Sequence, residues 1–371
     1  MKRRIGAFAL VFLLMISLCS QTVAASLGPA TTYAELLSLA EQAAPGDTLL
    51  ISGEIVSPVS PALTTSAQLT LRGKEEGAAL SGLHAHDAQL TFSSLALSGG
   101  LTVTGKSNIQ LTRSASVSGG LSFSGSGTLL LDPGSSVTGG KGGTGVRVSH
   151  AGGDLYVSIE GTVTGGKGKT GGAAVVIDPL KSSGALMVTG RLTGGEGSEF
   201  GGNALNLHNL SGNAYITVDG RLTGGEGSIG GSGLQLITAS GSVTAGLGGR
   251  ITGGRGGSYG GDAMLLMNVG GSALISLSGS LTGGNASGTD STPGQSLKVL
   301  GQTTAGRTRV GDCILQDGRQ ILTSQGVTPL PAITSSIDSA QPLEPTPEPT
   351  PAPTPAPPIA TDGEAQREPA E

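Results

Sequence analysis

Short runs in which apolar residues alternate with small or polar ones recur along the middle of the chain, separated by glycine-rich segments. Alternation with a period of two marks strands with one buried and one wet face. A Thr-Gly-Gly phrase punctuates them at Thr138, Thr164, Thr193, Thr223, Thr252 and Thr282, at spacings of 26, 29, 30, 29 and 30 residues. A fixed period of this size predicts stacked supersecondary units, each covering its apolar face with a neighbour.

Aligning the repeats on that phrase gives two sets of inward columns. One runs Val157/Ile159, Leu186/Val188, Ile216/Val218, Ala245/Leu247 and Ile275/Leu277, with Ser158, Met187, Thr217, Gly246 and Ser276 between. The other runs from Val146/Val148 through Val175/Ile177, Leu205/Leu207, Leu234/Leu236 and Met264/Leu266 to Leu297/Val299. Parallel pairing about 4.8 Å apart would stack equivalent residues into ladders along the axis. Asn206 on Gln235 then forms an amide ladder. The scarcity of aromatic residues fits a narrow interior. The glycines are expected to supply positive φ at corners, and helical repeats are excluded, because each interior glycine would cost a helix about 1 kcal/mol. Shorter-spaced runs from 48 to 137, such as Leu69-Thr-Leu71 and Leu129-Leu-Leu131, predict earlier, tighter coils.

Apolar residues at helical spacing from Tyr33 to Ala44, with Thr32 as the starting cap and Pro45-Gly46 as the stop, predict a helix over 32–44 that covers the first coil. The run from Glu35 through Pro45-Gly46-Asp47 to Gly53 resembles the opening of right-handed parallel β-helix proteins of the pectin-lyase-like superfamily, and Leu69 to Gly82 is similar to their next turn. The resemblance covers about 50 residues and implies an all-β, right-handed parallel β-helix with an N-terminal capping helix. It also raises the possibility of a polysaccharide lyase or glycoside hydrolase. The long repeats resemble glycine-rich surface proteins of gut bacteria in composition.

The ends divide the chain further. Lys2-Arg3-Arg4, the apolar run Ile5–Cys19 and the small residues to Ala25 read as a secretory signal over 1–25. The expected β-helix domain is 26–330, with the glycine-rich repeats at 138–300. Residues 331–371 form a proline-rich, disordered tail in which the stretch 342–358 reaches about 50 Å if extended. A secreted chain, extracellular or attached to the cell surface, with no transmembrane segment after cleavage, is expected.

Charge then excludes one class of partner. Removing Lys2, Arg3 and Arg4 from a net of −5 leaves −8, since no acid precedes residue 26. A nucleic-acid partner is not expected. Cys313, alone after cleavage, leaves no internal disulfide.

The candidate ligand-binding residues are few. Arg191, Arg221 and Arg250 form a regular outward column flanked by Thr162 and Ser280, suited to a repeating anionic polymer, or else paired with Glu196, Glu226, Glu160 or Asp219 on the same face. Tyr156 and Tyr215 share another outward column with Ala185 between. The loop position Lys141, Lys167, Glu196, Glu226, Arg255, Asn285 is chemically mixed and does not match a calcium nonapeptide. His84, His86 and Asp87 lack a third metal ligand and read as a polar turn; His150 and His208 stand alone, and Arg72 and Lys74 sit in an early coil. No catalytic set, metal or cofactor is expected. The functional expectation is a non-catalytic solenoid for adhesion or contact with polysaccharide or cell-surface glycan, with the lyase or hydrolase as the alternative.

Overall fold

The computed structural model describes residues 24–58, 60–150, 152–269 and 271–300, together with the backbone of three further strands, Thr308–Val310, Cys313–Gln316 and Arg319–Leu322. The signal segment to residue 23 and the proline-rich tail lie outside the described residues. The chain is a parallel β-solenoid: strands of successive coils pair in parallel in one 28-stranded sheet, and a separate four-stranded sheet accompanies the long repeats. The antiparallel pairs are those that join Thr308–Val310, Cys313–Gln316 and Arg319–Leu322.

The ladders have the register that the alternation predicts. Val157, Leu186, Ile216, Ala245 and Ile275 stack in one core column. Val148, Ile177, Leu207, Leu236, Leu266 and Val299 stack in a second. A third, Val163, Leu192, Leu222, Ile251 and Leu281, comes from the three-residue strands that carry Thr-Gly-Gly. Three strands per coil thus surround one continuous apolar core. Removal of these side chains from water drives the stacking. The interior accepts two phenyl rings, Phe92 and Phe123, both fully buried in the early coils.

The first coil is closed by the helix Tyr33–Gln42, which begins after the Thr32 cap and ends two residues earlier than expected. Thr32 Oγ1 accepts from Glu35 N, and the Glu35 carboxylate accepts from Thr31 N at 2.7 Å and Thr32 N at 3.2 Å. These bonds, with Thr31 foremost, hold the Glu35 pKa below its ordinary value. Asp47, the acid of the Pro-Gly-Asp turn, is buried and accepts from Ala25 N and Ala44 N, tying the chain's entry to the helix exit. A strand that the sequence did not announce, Ser26–Ala30, precedes the helix and pairs with Thr48–Ile51. Its Gly-Pro pair reads as a loop in isolation.

Coils lengthen where a loop is inserted. Leu69, Leu90, Ile109, Leu129 and Val157 are ladder partners separated by 21, 19, 20 and 28 residues. In the short coils the chain turns directly at Gly99-Gly100 and Gly119-Gly120, with φ of +74°, +95°, +99° and +93°. From the coil of Val146 onward, the Gly-Gly of each Thr-Gly-Gly instead opens a loop that returns through a second Gly-Gly, replaced in the last loop by Pro293-Gly294.

Here the expected role of glycine requires correction, because no described glycine from Gly161 to Gly294 has φ in the left-handed region. What these positions need is close approach of backbones. A Cβ built on Gly202 would meet the carbonyl oxygen of Gly172, one on Gly194 that of Gly202, one on Gly201 that of Gly225, and one on Gly225 that of Gly195. The glycines are joined by one alternating series of hydrogen bonds. In the order Gly140, Gly143, Gly166, Gly172, Gly195, Gly202, Gly225, Gly231, Gly254, Gly261, Gly284, Gly294, each amide donates to the carbonyl of the glycine before it at 2.7 to 2.9 Å. From Gly166 on, the bonds alternate between the two sides of one loop's neck and the step to the next coil.

Replacing Gly202 by alanine is therefore expected to destabilise the protein by about 3 kcal/mol, the upper end of what overpacking costs. Gly257→Ala, where a Cβ lies 3.5 Å from its nearest neighbour, Ser228 Cα, should be neutral or slightly stabilising. Thermal melts of the two variants check this, and equal melting temperatures would contradict it.

Candidate functional site

The inserted loops stack into a ridge that projects from the solenoid. Its strands are Gly168–Thr170, Gly197–Phe200, Gly227–Ile229 and Gly256–Tyr259. The glycine necks hold this ridge upright, and a groove lies on each side of it.

The first groove, about 420 Å³, has a floor of threonine and glycine: Thr164, Thr193, Thr223, Thr252 and Thr282 with the glycines that follow them. Its wall is the loop column Lys167, Glu196, Glu226, Arg255 and Asn285. On the outer side, two residues before each threonine, runs the arginine column. Arg191, Arg221 and Arg250 are direct register partners, followed by Ser280 and preceded by Thr162. Because Leu192, Leu222 and Ile251 point inward and are fully buried, the arginine and threonine on each side of them face outward together.

The structure corrects the expected pairing of these arginines with Glu160, Glu196, Asp219 or Glu226. Among the described residues none of the three makes an ion pair or a side-chain hydrogen bond. Glu196 instead accepts from Lys167 Nζ at 2.7 Å across one coil step, and Lys169 and Glu199 pair at 3.0 Å on the ridge. Three arginines on strands about 4.8 Å apart are therefore exposed without an ion-pair partner among the described residues. Adjacent members repel by about 0.9 kcal/mol in water, which the coil tolerates.

The second groove, about 620 Å³, lies on the opposite side of the ridge. Its wall is a column that the sequence reading missed: Phe200, Ile229 and Tyr259, in register, with Thr170 below and Thr292 above. The three large residues are 47%, 38% and 53% exposed. The signal was present, since each immediately precedes the second Gly-Gly of its loop. The floor consists of two outward columns, Asn203, Ser232, Asp262, Gln295 and Asn206, Gln235, Leu265, Lys298. Val176 and Leu265, in line with the amides, are nearly buried.

The floor is braced from coil to coil. Asn203 Oδ1 accepts from Ser232 N at 2.6 Å, Asp262 Oδ1 accepts from Gln295 N at 2.8 Å, and Gln235 Nε2 donates to Ser232 Oγ at 3.3 Å. Lys298 Nζ sits 3.6 Å from Asp262 Oδ2, so the two charges offset each other. The Asn206 amide oxygen meets no donor.

The other candidates do not assemble. Tyr156 and Tyr215 share a column through Ala185, two coil steps or about 10 Å apart. They lie on a different strand of the coil from the arginines. His86 binds Thr104 Oγ1 at 2.8 Å and lies 3.2 Å from the Asp87 carboxylate, while Asp87, at φ +46°, accepts from Lys106 N; instead of the expected turn, this is a polar irregularity within the strand Ala79–Ser93. Among the described residues no three His, Cys, Asp or Glu side chains gather as metal ligands, and no helix is long and apolar enough to cross a membrane.

No protein-family model, curated protein or solved structure matches this chain. The fold and the two grooves define its class, a parallel β-solenoid with a glycine-necked ridge.

His208 lies on the same outward face as Asn206. Its half-buried position is the main cause holding the imidazole pKa below its ordinary value; Asp178 opposes this and Arg147 adds to it. The unfolded state, with a histidine pKa of about 6.5, binds the proton first as pH falls. The contribution is thus fully present above that value and is lost below it. Melting temperatures recorded between about pH 8 and pH 5 should fall less on acidification for His208→Gln than for the parent, and parallel profiles would contradict this.

Proposed function

We propose that this protein is a secreted, surface-associated and non-catalytic solenoid that holds an anionic polysaccharide along its arginine column. The observation that carries the reading is the column itself: Arg191, Arg221 and Arg250 in register on three consecutive coils, without carboxylate partners. A polymer with one negative group per sugar meets one guanidinium per coil, and arginine's planar fork suits carboxylate or sulfate. The threonine floor beside the column adds hydroxyls. The resemblance of the opening coils to pectin-lyase-like proteins makes uronates the first polymers to try. Secretion rests on the sequence of residues 1–25.

A non-catalytic role is favoured by the surroundings of the charges. Lyase chemistry needs a base, an acid and a cation converging in a sheltered groove. Lys167 and Glu196 stand on the ridge with side chains 73% and 59% exposed, and the groove floor is threonine and glycine.

Purified protein should bind polygalacturonate or alginate with an affinity that falls as salt is added. The triple variant Arg191→Ser, Arg221→Ser, Arg250→Ser should weaken that binding by about tenfold or more, with no unsaturated sugar released by either protein. Binding that survives the triple change, or release of unsaturated products, would refute the reading.

A further inference from the structure

The groove on the far side of the ridge differs in chemistry from the arginine face and asks for a different ligand. We propose that it is a second glycan site, one that takes a linear, uncharged polysaccharide running along the solenoid axis. This inference stands independently of the arginine column, because the two sites share no residue.

Three observations point to an uncharged, hydroxyl-rich chain. The wall residues Phe200, Ile229 and Tyr259 are substantially exposed and stacked one per coil. Such a column offers ring faces and edges for the apolar side of a pyranose, at a cost in exposed apolar area that a column without a ligand would not repay. Four of the eight floor residues opposite are amides, Asn203, Gln295, Asn206 and Gln235, the last two in register, and amides both donate to and accept from hydroxyls. The Asn206 oxygen has no protein donor and gains one when the amide turns toward a ligand hydroxyl. Finally, the charges of this floor, Asp262 and Lys298, are spent on each other, so the groove has neither excess to recruit a polyanion nor reason to repel a neutral chain.

Spacing favours a sugar chain over a peptide. The coils repeat at about 4.8 Å, whereas an extended peptide advances about 3.3 Å per residue and would drift out of step with the wall. A β-1,4-linked pyranose chain advances by nearly one coil step per sugar, so each coil faces one sugar.

The test is calorimetric titration of the full chain with cellohexaose, mannohexaose and xylohexaose, with Phe200→Ala/Tyr259→Ala as the variant. The expected result is binding of at least one hexasaccharide that is insensitive to salt, is kept by the triple arginine-to-serine variant, and weakens about tenfold or more in the double alanine variant. Both aromatic side chains are half exposed, so the double variant should melt with the parent, and its circular dichroism is recorded alongside. Failure of all three sugars to bind, binding unaffected by the double change, or binding lost with the arginines would each overturn the proposal. So would self-association of the protein that the two alanines abolish, since the groove would then belong to a second copy of the chain.

Discussion

The constraint on which this structure depends is the distance between backbones at the necks of the inserted loops. Two strands of one coil and two of its neighbours meet there so closely that no Cβ fits between them. Burial of apolar side chains cannot hold such a junction, because there are no side chains in it. Hydrogen bonds do: in the series from Gly140 to Gly294 each glycine amide after the first donates to a glycine carbonyl, alternately across the neck and one coil back. An amide buried in this seam without a partner would cost about 1–3 kcal/mol. Satisfying every member in turn is what allows a loop rich in the most flexible residue to stand as a defined ridge.

From that seam follows the surface on which function rests. A ridge that rose from flexible necks would leave both grooves without fixed walls. Held by the glycines, it divides one flank of the solenoid into a face of cationic and hydroxyl columns and a groove of aromatic and amide columns. Repetition then multiplies each weak contact. One exposed arginine contributes little, but on the proposed reading three in register would meet three consecutive units of a polymer, and the entropy of holding that polymer would be met once.

Much of this was readable in the residues. The inward columns, the arginine column and the helix started by Thr32 depend on local alternation or spacing, which a sequence displays directly. The role of the repeat glycines was not, because a glycine demanded by a neighbouring coil looks the same as one demanded by its own φ. Gly99 and Gly119 do turn with positive φ, and the Gly-Gly pairs from Gly165 on do not. Phe200, Ile229 and Tyr259 were overlooked because the strands that carry them are three or four residues long, too short for alternation to emerge, although their place before Gly-Gly was constant. Of the carboxylates expected to pair with the arginines, Glu196 is claimed by Lys167 on the ridge, a choice of partner that depends on where the loop stands.

The most direct measurement of the central claim is hydrogen exchange of the neck amides, resolved residue by residue by nuclear magnetic resonance. If the seam is as described, Gly172, Gly202, Gly231 and Gly261 exchange as slowly as core-strand amides such as those of Leu207 and Leu236. Rapid exchange at all of the neck glycines, with protection confined to the apolar strands, would show loops without a fixed junction and would contradict the account.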